Sequence, residues 1–198
     1  MRFIKQGIVK YPLALLDMEI AKDAVLQGEE ECVFFLQHEA LYSAGKSFER
    51  RDFIAKPRYP VYFPNRGGRV TVHSPGQLVI YPIINLKKRN LNIHTFVEML
   101  EQWMIDVLGA FGLHGSLSEK GVGVWVNGSK IGFVGLHIER GVSTHGLCFN
   151  VCNDLSLFDA IIPCGINDLK TTSLEKCTSS QVDINEVITL FIRKCCIF

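Results

Sequence analysis

Hydrophobic positions along the chain switch repeatedly between a helical period and a strand period. Residues 12–27, PLALLDMEIAKDAVLQ, place Leu13, Leu16, Ile20, Ala24 and either Val25 or Leu26 on one predicted helical stripe. Pro12 suits the first turn of that helix and Gly28 its stop. The clearest stripe lies at 92–113, where Ile93, Phe96, Val97, Leu100, Trp103, Met104, Val107, Leu108 and Phe111 recur at helical spacing. Thr95 and Glu98 have the spacing of a capping box, and the helix can begin a few residues earlier. A last helix is predicted over 183–196, with Asp183 and Glu186 at its start.

Between these helices the pattern is that of strands. ECVFFLQH (31–38) and PVYFPN (60–65) read as short strands. RVTVHSPGQLVIYPIINL (69–86) reads as two strands around the Ser74-Pro75-Gly76 turn. GVGVWVNGSKIGFVGLHIERG (121–141) is strand, Asn127-Gly128 turn, strand, and Asn-Gly is a strong hairpin signal. THGLCFNVCND (144–154) continues as a strand, and DLSLFDAI as a short helix or turn. Strands joined by hairpins, with a few helices between them, predict an α+β fold with a mixed or antiparallel sheet flanked by helices. No internal repeat or low-complexity linker interrupts the 198 residues, so a single domain over 1–198 is expected.

Composition narrows the partners rather than the fold. The chain is 47% hydrophobic and 21% charged, with a net charge of +1, which gives no electrostatic case for nucleic acid. The apolar part of the N-terminal segment is broken by Lys10, Asp17 and Glu19, so neither a signal peptide nor a membrane span is expected, and the cytoplasm is the expected compartment. The seven cysteines (32, 148, 152, 164, 177, 195 and 196) fit no disulfide framework. Cys148 and Cys152 lack a second pair at zinc-binding spacing, and on a strand both would point to one face, which reads as core. No metal and no cofactor is expected. The final CCIF has the form of a prenylation signal, but no polybasic stretch precedes it, and the end of an apolar helix is the expected reading.

Four Gly-rich clusters at strand ends hold the candidate chemistry: NRGGRVTVHSPGQ (65–77), NGSKIGFVG (127–135), STHGL (143–147) and IPCGI (162–166). In the last, Pro163 and Gly165 frame Cys164 in a tight bend at a strand end, a good place for a nucleophile. A free thiol is only a few per cent thiolate at neutral pH, and a neighbouring cation raises that fraction. Lys130 is the candidate cation, although on its own it reads as a solvated hairpin lysine. His73 and His145 compete as bases and could equally be structural.

Taken together, RGGRVTVHSPGQLVIYPI (66–83), KIGFVG (130–135), HGLCFNV (145–151) and PCGI (163–166) resemble the lipoyl(octanoyl) transferase family in order and approximate spacing, with HEALYSAGKS (38–47) as an upstream segment. The resemblance runs through about residues 30 to 170 and implies the fold of biotin and lipoate protein ligase catalytic domains. It implies octanoyl transfer from octanoyl-acyl carrier protein to a lysine of lipoyl domains, in 2-oxoacid dehydrogenase complexes and the glycine cleavage H protein, through a cysteine thioester. By that resemblance Cys164 is the nucleophile and Lys130 lowers its pKa, and the sequence leaves open whether Lys130 acts as an ammonium beside the thiolate or as a neutral amine that accepts a proton. Arg66, Gly67, Gly68, Arg69, Val70, Thr71, Val72 and His73, with Phe133, Val134, Gly135, Gly146, Leu147 and Cys148, would line the acyl site. His145, Gly76 and Gln77 are secondary candidates. Backbone N–H groups around Gly135 and Gly165 would hold the oxyanion. Ser74, Val72 and Phe149 depart from the family pattern of Gly, an aromatic residue and Leu, departures expected to reshape the acyl tunnel. An ATP-dependent lipoate or biotin ligase on the same fold is the alternative, and a non-catalytic binding module the reading from a different class.

Overall fold

The computed structural model describes residues 1–195. Its elements in chain order are β1 (Arg2–Val9), α1 (Tyr11–Leu26), β2 (Cys32–His38), β3 (Leu41–Ala44), β4 (Val61–Tyr62), β5 (Val70–His73), β6 (Gln77–Ile83), α2 (Ile93–Ala110), β7 (Ser116–Ser118), β8 (Gly121–Val126), β9 (Ser129–Glu139), β10 (Val142–Asn150), α3 (Leu174–Thr178) and α4 (Ile184–Arg193). The end of the predicted 183–196 helix and the last three residues of CCIF lie outside the described residues.

Seven strands form a mixed sheet in the order β1-β2-β6-β10-β9-β8-β7, and β4-β3-β5 form a second, smaller one. In the large sheet β1 runs parallel to β2, and the other neighbours are antiparallel. The predicted α+β class with a mixed sheet is therefore observed. The two strands flanking Ser74-Pro75-Gly76 do not pair with each other: β5 belongs to the small sheet and β6 to the large one. The turn thus carries the chain from one layer to the next.

Strand alternation sorts the apolar side chains into two cores. Val33, Phe35, Leu78, Ile80, Leu147 and Phe149 face α2 and α4. Phe34, Leu36, Val79, Tyr81 and Cys148 face α1 and the small sheet. α2 follows the predicted stripe, with Phe96, Leu100, Trp103, Met104, Val107 and Leu108 buried. Its cap is Asn92, whose side chain accepts the Thr95 N–H, instead of the Thr95–Glu98 box.

α1 forms where the sequence places it but buries a different face. Leu13, Leu16 and Ile20 are exposed, while Tyr11, Ala14, Met18, Lys22 and Val25 pack inward. That second stripe also repeats every three to four residues. It wins because Met18 seats in the second core and Lys22 reaches Glu139 at the end of β9 (3.0 Å). β1, β3, β7 and α3 were not expected from the pattern. β1 is an edge strand whose half-exposed, charge-rich stretch hides its period.

Candidate active site

The Pro163–Gly165 turn is built to expose one side chain. Pro163 presets its own φ, and Cys164 follows at φ 56°, ψ 14°, a left-handed conformation that costs a non-glycine residue about 1–2 kcal/mol. Gly165 continues at φ 70°. The Ile162 N–H donates to the Asp52 carbonyl (2.7 Å) and the Gly165 N–H to the Ile162 carbonyl (3.1 Å), so the bend is held from both sides. Gly165 is therefore already committed and is not a free oxyanion donor, contrary to the expectation from sequence. A Cβ there would also stand 2.7 Å from Arg69 Nε. Arg69 is in turn gripped by the wholly buried Asp52, with Nε donating to Oδ2 at 3.0 Å.

Lys130 follows the Asn127-Gly128 turn, both of whose residues have positive φ (49° and 74°) as a type I′ hairpin requires. A solvated lysine would be ordinary there, yet Lys130 is 0% exposed. The cause is a bulge. Val124 pairs with Gly132 and Trp125 with Lys130, so one extra residue, Ile131, is inserted in β9. Bulges re-aim side chains, and here both Lys130 and Ile131 are buried. The Lys130 backbone is also clamped from outside, its N–H donating to the Lys170 carbonyl (2.8 Å) and its carbonyl accepting from Thr172 (2.9 Å). Its Nζ donates to the Val122 carbonyl at 2.7 Å and lies 3.5 Å from Cys164 Sγ. The rings of Trp125 and Phe133 flank the charge at 4.6 and 5.0 Å. The two residues, 34 positions apart, are thus brought together.

Cys164 opens onto a cavity of about 500 Å³, within the range of small-molecule sites. Of the residues expected from the family resemblance, Arg66, Gly67, Gly68, Arg69, Val70, Thr71, His73, Phe133, Val134, Gly135, Gly146, Leu147 and Cys148 line it, as does His145. Val72 does not: it is buried in the second core. Gly76 and Gln77 are also off the wall. Gly76 packs against the Asn153 backbone, and Gln77 sits in a buried chain from His73 Nδ1 (2.8 Å) to Asn150 Oδ1 (2.9 Å). The wall further includes Tyr11, Ile93, Val97, Val122 and Ile166. Ile93 and Val97 are one turn apart, and periodicity alone assigned them to the core stripe.

The far wall is polar and neutral apart from one guanidinium. Arg66, buried, donates to the Ser43 carbonyl and hydroxyl and to the Gly67 carbonyl (2.8 Å). Burial holds His145 down to about 3 and His73 well below the usual imidazole range, with Arg66 pushing the same way. Both rings are therefore uncharged at neutral pH. Burial pushes the Cys148 thiol up to about 12, so it stays protonated. The expected shared face for Cys148 and Cys152 is not seen, because β10 ends at Asn150 and Cys152 is exposed. Among the described residues no three His, Cys, Asp or Glu side chains converge as a metal site.

This architecture and site have recognisable relatives. The chain matches the lipoyl protein ligase A/B catalytic domain over residues 11–196. An octanoyltransferase of Zymomonas mobilis is 38% identical over 189 residues, covering 91% of this chain and 88% of that protein. The chain belongs to this family. An octanoyltransferase of Neorickettsia sennetsu is 39% identical, covering 87% of this chain and 86% of its own length. Octanoyltransferases are acyltransferases, and this chain is an enzyme of that class.

Solved structures extend the likeness in fold. A bipartite lipoate protein ligase from Thermoplasma acidophilum superposes with a TM-score of 0.67 at 15% identity, covering 98% of this chain and 82% of that one. A biotin protein ligase from Aquifex aeolicus gives 0.55 at 12% identity, covering 98% and 67%. Against the family background the three departures lie off the cavity wall. Val72 and Ser74 are buried, and Phe149 packs against Phe191 (5.5 Å). None of the three therefore touches the cavity directly. No helix among the described residues is long and apolar enough to cross a membrane.

Proposed function

We propose that this chain, acting as one catalytic unit in the cytoplasm, moves an octanoyl group from octanoyl-acyl carrier protein to a lysine of a lipoyl domain through a thioester on Cys164. The observation that carries the reading is the 3.5 Å approach of the buried Lys130 Nζ to Cys164 Sγ at the wall of an apolar cavity. The Cys164 thiolate attacks the donor thioester carbonyl. The tetrahedral intermediate collapses, the phosphopantetheine thiolate leaves and takes a proton, and an octanoyl thioester remains on the enzyme. The lysine amine of a lipoyl domain, in a 2-oxoacid dehydrogenase complex or a glycine cleavage H protein, then attacks that carbonyl. An amide forms, the amine loses a proton, and the thiolate is restored. Thioester to thioester is nearly balanced and thioester to amide runs downhill, so no cofactor or ATP is required.

Lys130 serves as the cation. A carbonyl oxygen, two ring faces and a sulfur are partners suited to positive charge. Val70, Phe133 and Leu147 give the acyl chain apolar walls. Burying about seven methylene-sized carbons at about 0.8 kcal/mol each would yield roughly 5–6 kcal/mol. The ATP-dependent ligase reading is supported by fold alone, since the two ligase structures compared are 15% and 12% identical while named octanoyltransferases reach 41% over most of the chain.

The test is direct. Incubation with octanoyl-acyl carrier protein should add one octanoyl mass that hydroxylamine removes, and Cys164→Ala should show none. A labile adduct persisting in Cys164→Ala rejects the mechanism. Turnover that needs free octanoate and ATP supports the ligase instead.

A further inference from the structure

α2 carries a buried carboxylate in its otherwise apolar inner face. Glu101 is 7% exposed and lies between Leu100, Trp103 and Met104. A buried carboxylate needs partners. Glu101 Oε1 accepts the Gly123 N–H at 2.6 Å. The other end of that same peptide unit is the Val122 carbonyl, which accepts from Lys130 Nζ at 2.7 Å. One rigid amide plane therefore has the carboxylate at its N–H and the ammonium at its C=O, and hydrogen bonds so aligned polarise one another. Gly123 has φ 131°, and a Cβ there would stand 2.6 Å from Lys130 Cε, so the plane is held where only glycine fits.

Resting on the Cys164–Lys130 reading, we propose that Glu101 is a positioning residue of this site, holding Lys130 against Cys164 through the Val122–Gly123 peptide. A nucleophile, its charged partner and a third group that orients that partner is a recurrent arrangement. Here the third group acts across a peptide bond instead of by direct contact. Its value is greatest in mid-cycle. Once Cys164 is acylated the sulfur is neutral and Lys130 loses its anionic neighbour. Glu101 stays as counter-charge and keeps the amine from swinging away before deacylation. Burial raises the Glu101 carboxyl above its ordinary range, while the Gly123 N–H and Lys130 pull it down. The other charges that reach it, His94 and Glu98, are exposed on its own helix.

The test is the pH dependence of Cys164 alkylation by iodoacetamide, read by mass spectrometry on the Cys164 peptide. Glu101→Gln keeps the oxygen that accepts from Gly123 and removes the charge. The alkylation midpoint should rise by about one pH unit, so labelling at neutral pH falls about tenfold. In a Lys130→Gln background the same change should add nothing, because Glu101 acts through Lys130. A wild-type midpoint in Glu101→Gln, or an equal shift in both backgrounds, overturns the proposal and leaves the Cys164–Lys130 pair standing. An unmoved midpoint in Lys130→Gln removes the pair itself, and the role of Glu101 with it. Should Glu101→Gln fail to fold, Glu101→Asp carries the test. A midpoint within about half a unit of wild type supports the charge role, and any larger shift overturns it.

Discussion

Cys164 owes its position to backbone geometry before any side chain acts on it. A left-handed cysteine between Pro163 and a left-handed Gly165 survives because Asp52 and Arg69 brace the turn from outside. Gly165→Ala should therefore cost about 1–2 kcal/mol through φ alone, and more where the new methyl meets Arg69. Urea unfolding should show that loss, and Cys164 acylation should slow along with it. A variant as stable and as fast as wild type would remove the strained bend from the account. The bend was legible in the sequence, since Pro and Gly have few uses on either side of a cysteine. Lys130 was not. Residue by residue it reads as solvated, because the bulge that turns it inward leaves no mark in an Asn-Gly hairpin; only the family resemblance pointed to its role. Glu101 was invisible for a related reason. Its partner is a backbone N–H, and a carboxylate in a helix gives no hint that a strand's amide will reach it.

Elements hold the site where they cross between layers. Residues 49–53 lie far from the Cys164 bend in sequence, yet Asp52 binds three parts of the molecule at once. Its carbonyl accepts the Ile162 N–H, and its carboxylate accepts from Arg69, the residue just before β5, and from the Glu49 N–H (2.9 Å). Asp52→Ala removes the charged acceptor and leaves the Arg69 guanidinium with only the half-exposed Glu49 nearby. A stability loss of about 1.5–3 kcal/mol is expected from charged hydrogen bonds of this kind, measured by chemical denaturation. Acyl-enzyme formation should fall as well; unchanged acylation would show that the bend does not need this brace. At this scale the sequence was legible wherever one face of an element was strongly apolar, as in α2. It misled at α1, where two stripes compete and Leu13, Leu16 and Ile20 look the better one. The choice between them is made by Met18 against the second core and Lys22 against Glu139, contacts more than a hundred residues apart in the chain. The same non-locality hid the sheet switch at Ser74–Gly76.

Across the whole molecule the buried polar wall sets how stability varies with pH. His38, His73 and His145 lie near one another around Tyr11 and Tyr81, and each makes its hydrogen bonds as a neutral ring. Burial depresses His38 to about 4 and His145 to about 3, with His73 well below its usual value. In the unfolded chain each takes up a proton near the ordinary imidazole pKa of about 6.5. Below that pH the unfolded state binds more protons than the folded one, so stability rises with pH and is lost on acidification. The loss should begin near pH 6.5 and continue past pH 4 to about pH 3, where His145 titrates in the fold, at up to about 1.4 kcal/mol per pH unit for each ring. The depressed carboxyls of Glu30, Glu139 and Asp154 act in the same direction only at lower pH, within the carboxylate range. In the window from about pH 6.5 to about pH 4.5 the imidazoles therefore dominate, and the raised Glu101 carboxyl, titrating at its lower end in the opposite sense, offsets only part of their slope. Urea midpoints taken across that window should fall steadily, and His38→Gln, which removes one proton-binding ring without touching Cys164 or Lys130, should flatten the slope by about one ring's share. A flat stability profile through that window in the parent protein would mean the three rings are already charged in the fold, and the polar wall of the cavity would have to be described as cationic.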